Sequence, residues 1–221
     1  MNRIIVVVEG QSEEEFIKSV VAPYLLKYSI YITPIVVRTS KNFKGGIVSY
    51  AKFKYHVELI LKQDKTALVT SMIDYFRLPN DFPHYNDLGM IENPFKKVEH
   101  LENGLSKSIG NDRFIPYIQL HEFEALLFSD RKGFQEYIST SEDNFHQMMK
   151  EIDAILEEFD LPELINTRPE LAPSKRILKI FPKYNKVVFG SLIAEEIGIE
   201  KILSKCSRFG FWVQTLINRF Q

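Results

Sequence analysis

The chain has 221 residues, 45% of them hydrophobic, which is ample for one large domain or one domain with a smaller appendage. Its 28 Lys and Arg against 29 Asp and Glu leave a net charge of −1, so no global basic field advertises nucleic acid, and such contact must come from a local patch or a partner. A single cysteine, Cys206, excludes a disulfide framework and a cysteine zinc cluster, and no apolar run approaches the ~18 residues of a membrane span.

The first element begins at once. Ile4 to Val8 are five consecutive β-branched residues, which predicts a strand buried on both faces of a parallel sheet. The run stops at Glu9-Gly10. Ser12 and Glu15 have the spacing of a capping box, and Phe16, Ile17, Val20, Val21, Tyr24 and Leu25 recur at helical spacing over 12–27. Residues 29–37 read as a second strand, which Pro34 pushes to a sheet edge or an irregular entry. A loop at 41–46 leads to a helix over 47–62. Residues 65–73 predict a third strand ending at Asp74. A proline-rich excursion (Pro79, Pro83, Pro94) precedes a helix at about 95–108, and a fourth strand, Arg113 to Leu120, runs into His121-Glu122-Phe123-Glu124. Alternating strands and helices predict an α/β fold with a mainly parallel, Rossmann-like sheet flanked by helices. From about residue 131 the spacing is helical throughout, with segments near 144–159, 174–181, 186–197 and 199–220. The expected organisation is an α/β domain over 1–130 and a helical extension over 131–221 packed on it. With no signal peptide preceding the first strand, the expectation is a soluble cytoplasmic protein.

Carboxylates collect at predicted strand ends: Glu9, Asp74 and the pair Glu122 and Glu124. In a parallel sheet those ends lie along one edge, where open α/β sheets place their chemistry. Acids gathered there repel unless a cation neutralises them, and an oxygen-rich, histidine-poor set suits Mg²⁺ or Mn²⁺. Glu13 is a further candidate, although acids in a first helical turn also serve the helix dipole. Asp74 has a competing role as a turn former. Glu122 and Glu124 share a face if the strand continues and point apart if a helix begins. In Pro173-Ser174-Lys175-Arg176, Ser174 is a natural N-cap, but two cations in a first turn oppose the dipole, so a phosphate or the acidic cluster is the expected partner. Lys41, Lys44, Lys96 and Lys97 read mainly as solvated surface. Tyr75, Phe76 and Phe82 either stack a base or anchor their loop. His56, His84, His100 and His146 lack partner spacing, His121 adjoins Glu122, and Cys206 reads as a core thiol.

Four segments carry a resemblance: Glu-Gly-Gln-Ser-Glu at 9–13, Met-Ile-Asp-Tyr-Phe at 72–76, Gln-Leu-His-Glu-Phe-Glu-Ala-Leu-Leu-Phe at 119–128 and Pro-Ser-Lys-Arg at 173–176. With them the chain resembles, over nearly its whole length, the bacterial proteins grouped as domain of unknown function 4276. That family is regarded as TOPRIM-like, akin to the catalytic module of topoisomerases, primases and the overcoming-lysogenisation-defect nucleases. The resemblance implies a TOPRIM-like sheet, Mg²⁺-dependent phosphodiester chemistry, an ATPase partner and a role in phage defence. It aligns Glu9 with the glutamate after the first TOPRIM strand, Glu13 with the second acid of E-G-x-x-E, and Asp74 with the first aspartate of D-x-D. The second D-x-D position is Phe76, a departure from the pattern.

The resulting expectation is a Mg²⁺- or Mn²⁺-dependent nuclease acting on DNA rather than RNA. Glu9 and Asp74 would be metal ligands, with Glu13, Glu122 and Glu124 as further ligands and Glu13 or Glu122 as general base. Lys175 and Arg176 would stabilise charge on the phosphate. The alternative is a non-catalytic module that uses the same acidic edge with a partner ATPase. No dinucleotide or P-loop glycine motif is present.

Overall fold

The structure, a computed structural model, describes residues 1–37, 49–138, 144–166 and 168–221. The chain forms two compact units, residues 1–120 with 217–221 and residues 121–216. The division falls after Leu120, earlier in the chain than the change of spacing near residue 131.

In the first unit the apolar run forms β1 (Asn2–Val8), with Ile4, Val6, Val7 and Val8 buried. A continuous helical segment follows: α1 (Gln11–Phe16), a π-helical turn (Ile17–Val21) and α2 (Ala22–Leu26). Its N-cap is Gly10, in extended conformation, and not Ser12, which lies inside the first turn. The expected capping box with Glu15 therefore does not form, because Gly10 ends the strand and starts the helix before Ser12 is reached. β2 (Ile30–Val36) pairs in parallel with β1 at the sheet edge, where Pro34 costs no central ladder bond.

α3 (Tyr50–Gln63) is capped by Ser49, and both carboxylate oxygens of Asp81 accept the Tyr50 N–H at 3.0 Å. The expected start of that helix at 47, and the loop with Lys41 and Lys44, lie outside the described residues. β3 (Leu68–Asp74) is buried along its whole length. α4 (Pro94–Ile109) starts on Asn93, whose Oδ1 accepts from the N–H groups of Phe95 and Lys96, and stops at left-handed Gly110. The fourth strand is interrupted: β4 (Phe114–Ile115) and β5 (Ile118–Gln119) lie on either side of Pro116, and both pair with β3. Side chains replace the missing ladder bonds. Thr70 Oγ1 donates to the Ile115 carbonyl at 2.6 Å, and Ser71 Oγ accepts the Tyr117 N–H at 3.0 Å.

All the pairings are parallel, in the order β2-β1-β3-β4, with β5 also on β3. The chain steps outward from β1 to β2, then returns across β1 to β3, so the winding reverses between β1 and β3. Right-handed crossovers then put the helical segment 11–26 on one face and α3 and α4 on the other.

The second unit is helical. Its centre is a 3-10 segment, Phe123–Ser129, buried at every residue. Apart from Glu124 and Ser129 the segment is apolar, as an element inside a core should be, and around it pack α5 (Lys132–Tyr137), α6 (Phe145–Glu158), α7 (Pro173–Ile180), α8 (Lys186–Ile197) and α9 (Ile199–Lys205). α10 (Ser207–Asn218) follows after a break at Cys206, so the helix expected over 199–220 is two, and its last residues belong to the first unit. Among the described residues no helix is long and apolar enough to cross a membrane.

Candidate functional site

Open α/β sheets bind ligands at the carboxyl ends of the strands where the winding reverses. Here that point lies between β1 and β3. Val8 is paired with Met72, so Glu9, the next residue after β1, lies beside Asp74, the last residue of β3. Glu9 Oε2 accepts the Asp74 N–H at 3.3 Å, which ties the two strand ends together. Asp74 is buried, and the next amide, of Tyr75, donates to the Gln119 carbonyl at 2.9 Å, which holds it against β5.

Glu13 lies in the first turn of α1, just beyond Gly10. It is only 2% exposed, and its Oε2 lies 3.2 Å from the place a Cβ on Gly10 would occupy. The carboxylate therefore folds back over the strand end instead of pointing along the helix. Glycine at position 10 leaves that space clear.

Phe76, at the second D-x-D position, is half-buried, and the Arg77 guanidinium lies 5.2 Å over its ring. Arg77 itself is left-handed (φ 62°), so the chain leaves β3 through a tight, strained turn. Phe82 is a loop anchor, buried against Tyr50 and Phe53 with ring centroids 5.4 and 5.6 Å away. This first unit thus offers hard carboxylate oxygens from Glu9, Asp74 and Glu13. They suit a cation of the Mg²⁺ type, which takes one or two carboxylates and keeps positions for water and phosphate. Among the described residues no set of three or more His, Cys, Asp or Glu side chains is preformed as a metal cage.

The remaining candidates lie in the second unit. Glu122 precedes the 3-10 segment, so a helix begins there and the Glu122 and Glu124 side chains part company. The Glu122 carboxylate accepts the Ser174 N–H through Oε2 and the Ser174 hydroxyl through Oε1, both at 3.0 Å. Ser174 is therefore not the N-cap of α7; that position is Ala172, and Glu122 serves the helix from 52 residues away. Glu124 is fully buried, with Lys186 Nζ at 3.5 Å. Arg176 is engaged: its Nε donates to the Leu171 carbonyl at 3.0 Å, its Nη1 meets Glu158 at 3.1 Å, and its guanidinium lies over Phe159. Lys175, by contrast, is exposed on the face of α7 opposite buried Ile177 and Ile180.

Of two further groups, the sequence marks His121 as a neighbour of Glu122 and does not single out Glu163. His121 is left-handed (φ 69°), and its Nδ1 lies 3.2 Å from the Asn166 amide; burial lowers its pKa to about 4, so it is neutral at neutral pH. Glu163 is fully buried and accepts the N–H groups of Arg208 and Phe209 at 3.0 Å each, which caps α10; desolvation holds its pKa above the usual value. Only the partners reveal these roles, 45 residues from His121 and 45 and 46 from Glu163. Of the weaker candidates, Lys96 pairs with Glu99 at 2.8 Å, and Cys206 is a core thiol 3.3 Å from Ser129 Oγ. His84 stacks on His100 at 4.5 Å, and His100 Nε2 lies 3.1 Å from Asp87.

Fold and acidic edge together define an open parallel α/β protein with carboxylates at the reversal of its winding. The model of the family described as Domain of unknown function (DUF4276) matches residues 8–217, and the chain belongs to that family. Curated proteins offer no significant match. Among solved structures, the chain is similar to the C-terminal region of the Burkholderia pseudomallei OLD protein, at 13% identity and TM-score 0.48, over 98% of this chain and 99% of that one. It is also similar to the C-terminal region of the Xanthomonas campestris pv. campestris OLD protein, at 14% identity and TM-score 0.45, over 97% of each chain.

Proposed function

We propose that this protein is a TOPRIM-like nuclease that hydrolyses phosphodiester bonds of nucleic acid, DNA rather than RNA, with Mg²⁺ or Mn²⁺. The observation that carries the reading is the meeting of Glu9 and Asp74 at the carboxyl ends of β1 and β3. The Glu9 carboxylate is held at the end of β3, where Asp74 supplies a second acid, and hard oxygens from two neighbouring strand ends suit a divalent cation. The motif resemblance over residues 9–13 and 72–76 supports the same assignment. In this reading Glu9 and Asp74 hold the cation, and Glu13, folded back beside Gly10, completes the set or takes a proton from the attacking water. The bound ion would polarise the phosphodiester and lower the pKa of that water. In the second unit Lys175 is the cation assigned to phosphate, while Glu122 and Arg176 hold its helix. We place the activity in the bacterial cytoplasm, beside a partner ATPase in an anti-phage or DNA-processing system.

Glu9→Gln and Asp74→Asn each keep shape and remove charge. Both variants are expected to lose at least about a hundredfold in Mn²⁺-dependent cleavage while melting like the wild type. Wild-type rates in both would end the nuclease assignment.

One observation favours a second reading. Position 76 holds an aromatic ring covered by Arg77 instead of the second D-x-D aspartate. A site short of that acid suits a module that binds nucleotide or nucleic acid for a partner ATPase without cleaving it. Thermal unfolding separates the two, because a cation that binds only the folded state raises the melting temperature. The nuclease reading expects a Mn²⁺-dependent rise that Glu9→Gln abolishes; the module reading expects none.

A further inference from the structure

α7 and its flanks carry charge of one sign. Residues 168–186 hold six Lys and Arg (Arg168, Lys175, Arg176, Lys179, Lys183 and Lys186) against one acid, Glu170, in a chain whose totals are nearly balanced. Among these, Arg176 is committed to Glu158 and Lys186 to Glu124. Lys175 and Lys179 are not. Both are exposed, four residues apart, on the side of α7 turned away from its buried residues Pro173, Ile177 and Ile180.

This arrangement works against the helix that bears it. Like charges at i and i+4 repel, and a cation in the first turn opposes the positive end of the helix dipole. Glu122 relieves the first turn in part, but its oxygens are held by the Ser174 N–H and hydroxyl, and Glu158 is held by Arg176, so neither acid is paired with Lys175 or Lys179. A small anion is a poor occupant, because Lys175 and Lys179 stand side by side on a convex helix face and do not converge on a point. An extended polyanion fits better. Four residues of helix rise about 6 Å, close to two phosphate steps along one strand at about 3.4 Å of axis each.

We propose that the exposed face of α7, through Lys175 and Lys179, is a track for the phosphate backbone of nucleic acid. The proposal rests on the nucleic-acid substrate of the function above and extends it from one phosphate to a run of them. Contacts of this kind position a strand without reading its sequence, so the track is sequence-independent.

The test is fluorescence anisotropy of a labelled DNA duplex with the full chain in EDTA, across a salt series. Without the cation no cleavage occurs, so binding is read independently of catalysis. Lys179→Glu is expected to weaken binding roughly fivefold or more and to flatten the slope of log affinity against log salt by about 1. Lys179→Arg should keep both, because a phosphate accepts either cation. Lys62→Glu, the same charge change at an exposed residue of α3, should leave binding intact. Equal losses in Lys179→Glu and Lys62→Glu would reduce the effect to net charge and overturn the track. Unchanged binding by Lys179→Glu, or no binding by wild type at low salt, would overturn it as well. The nuclease reading fails on different data, namely wild-type cleavage by Glu9→Gln, so either idea can fall while the other stands.

Discussion

Both oxygens of the Glu122 carboxylate are occupied, one by the Ser174 N–H and one by its hydroxyl, at the end of a helix that opens with two cations. The oddity of Pro-Ser-Lys-Arg is thereby explained in part: the carboxylate supplies the negative charge that the first turn lacks. The same device recurs at α3, served by Asp81, and at α10, served by Glu163. A carboxylate at a strand end thus reads alike in sequence whether it awaits a cation or caps a distant helix. Glu122→Ala leaves two part-buried donors without their acceptor, and unfolding in urea should show a loss of about 1–3 kcal/mol; Ser174→Ala should lose about 1 kcal/mol. The double variant should lose less than the sum, since each change removes the same contact. Strict additivity would show that the pair does not hold α7.

Elements were legible where local pattern and tertiary demand agreed. β1, α4 and α6 appear within a residue or two of their expected bounds, because apolar spacing, Asn93 with Pro94, and Gly110 act over a few residues. Pro34 correctly pointed to an edge strand. Pro116 breaks the fourth strand in two, a consequence of its missing N–H that the apolar run around it concealed. α5 is only six residues long and escaped notice, since its burial depends on α8. That packing hinges on Gly133: a Cβ there would come within 2.6 Å of the Ile193 carbonyl and 2.7 Å of Ile197 Cγ1. The obstacle is backbone and cannot swing aside. Gly133→Ala should therefore destabilise by about 1–3 kcal/mol despite its better helix propensity, and a stability gain would contradict this close approach.

At the scale of the whole molecule, acid should expose His121. Its folded pKa of about 4 lies below the ordinary 6.5, so between those values the unfolded chain binds a proton that the folded chain refuses. Stability then falls as the pH drops from 6.5 towards 4, by on the order of 2–3 kcal/mol, and is insensitive to this group above 7. Glu163, with its raised pKa, acts in the opposite sense, and Asp64, lowered to about 2 by the Ala67 and Thr66 amides, loses its contribution only below about 4. Urea melts of wild type and His121→Asn at pH 7 and pH 5 isolate the histidine; equal losses in both proteins would refute its role. By itself the sequence determined the parallel α/β class, the helical second half and the position of Glu9 and Asp74 at strand ends, because those follow from spacing within a few residues. Tertiary structure alone decided which acids meet. The winding order sets Glu9 beside Asp74, whereas Glu122 is drawn to Ser174 and Glu124 to Lys186. Each of those choices pairs groups some 50 to 65 residues apart, where side-chain spacing carries no information and only the folded backbone brings them together.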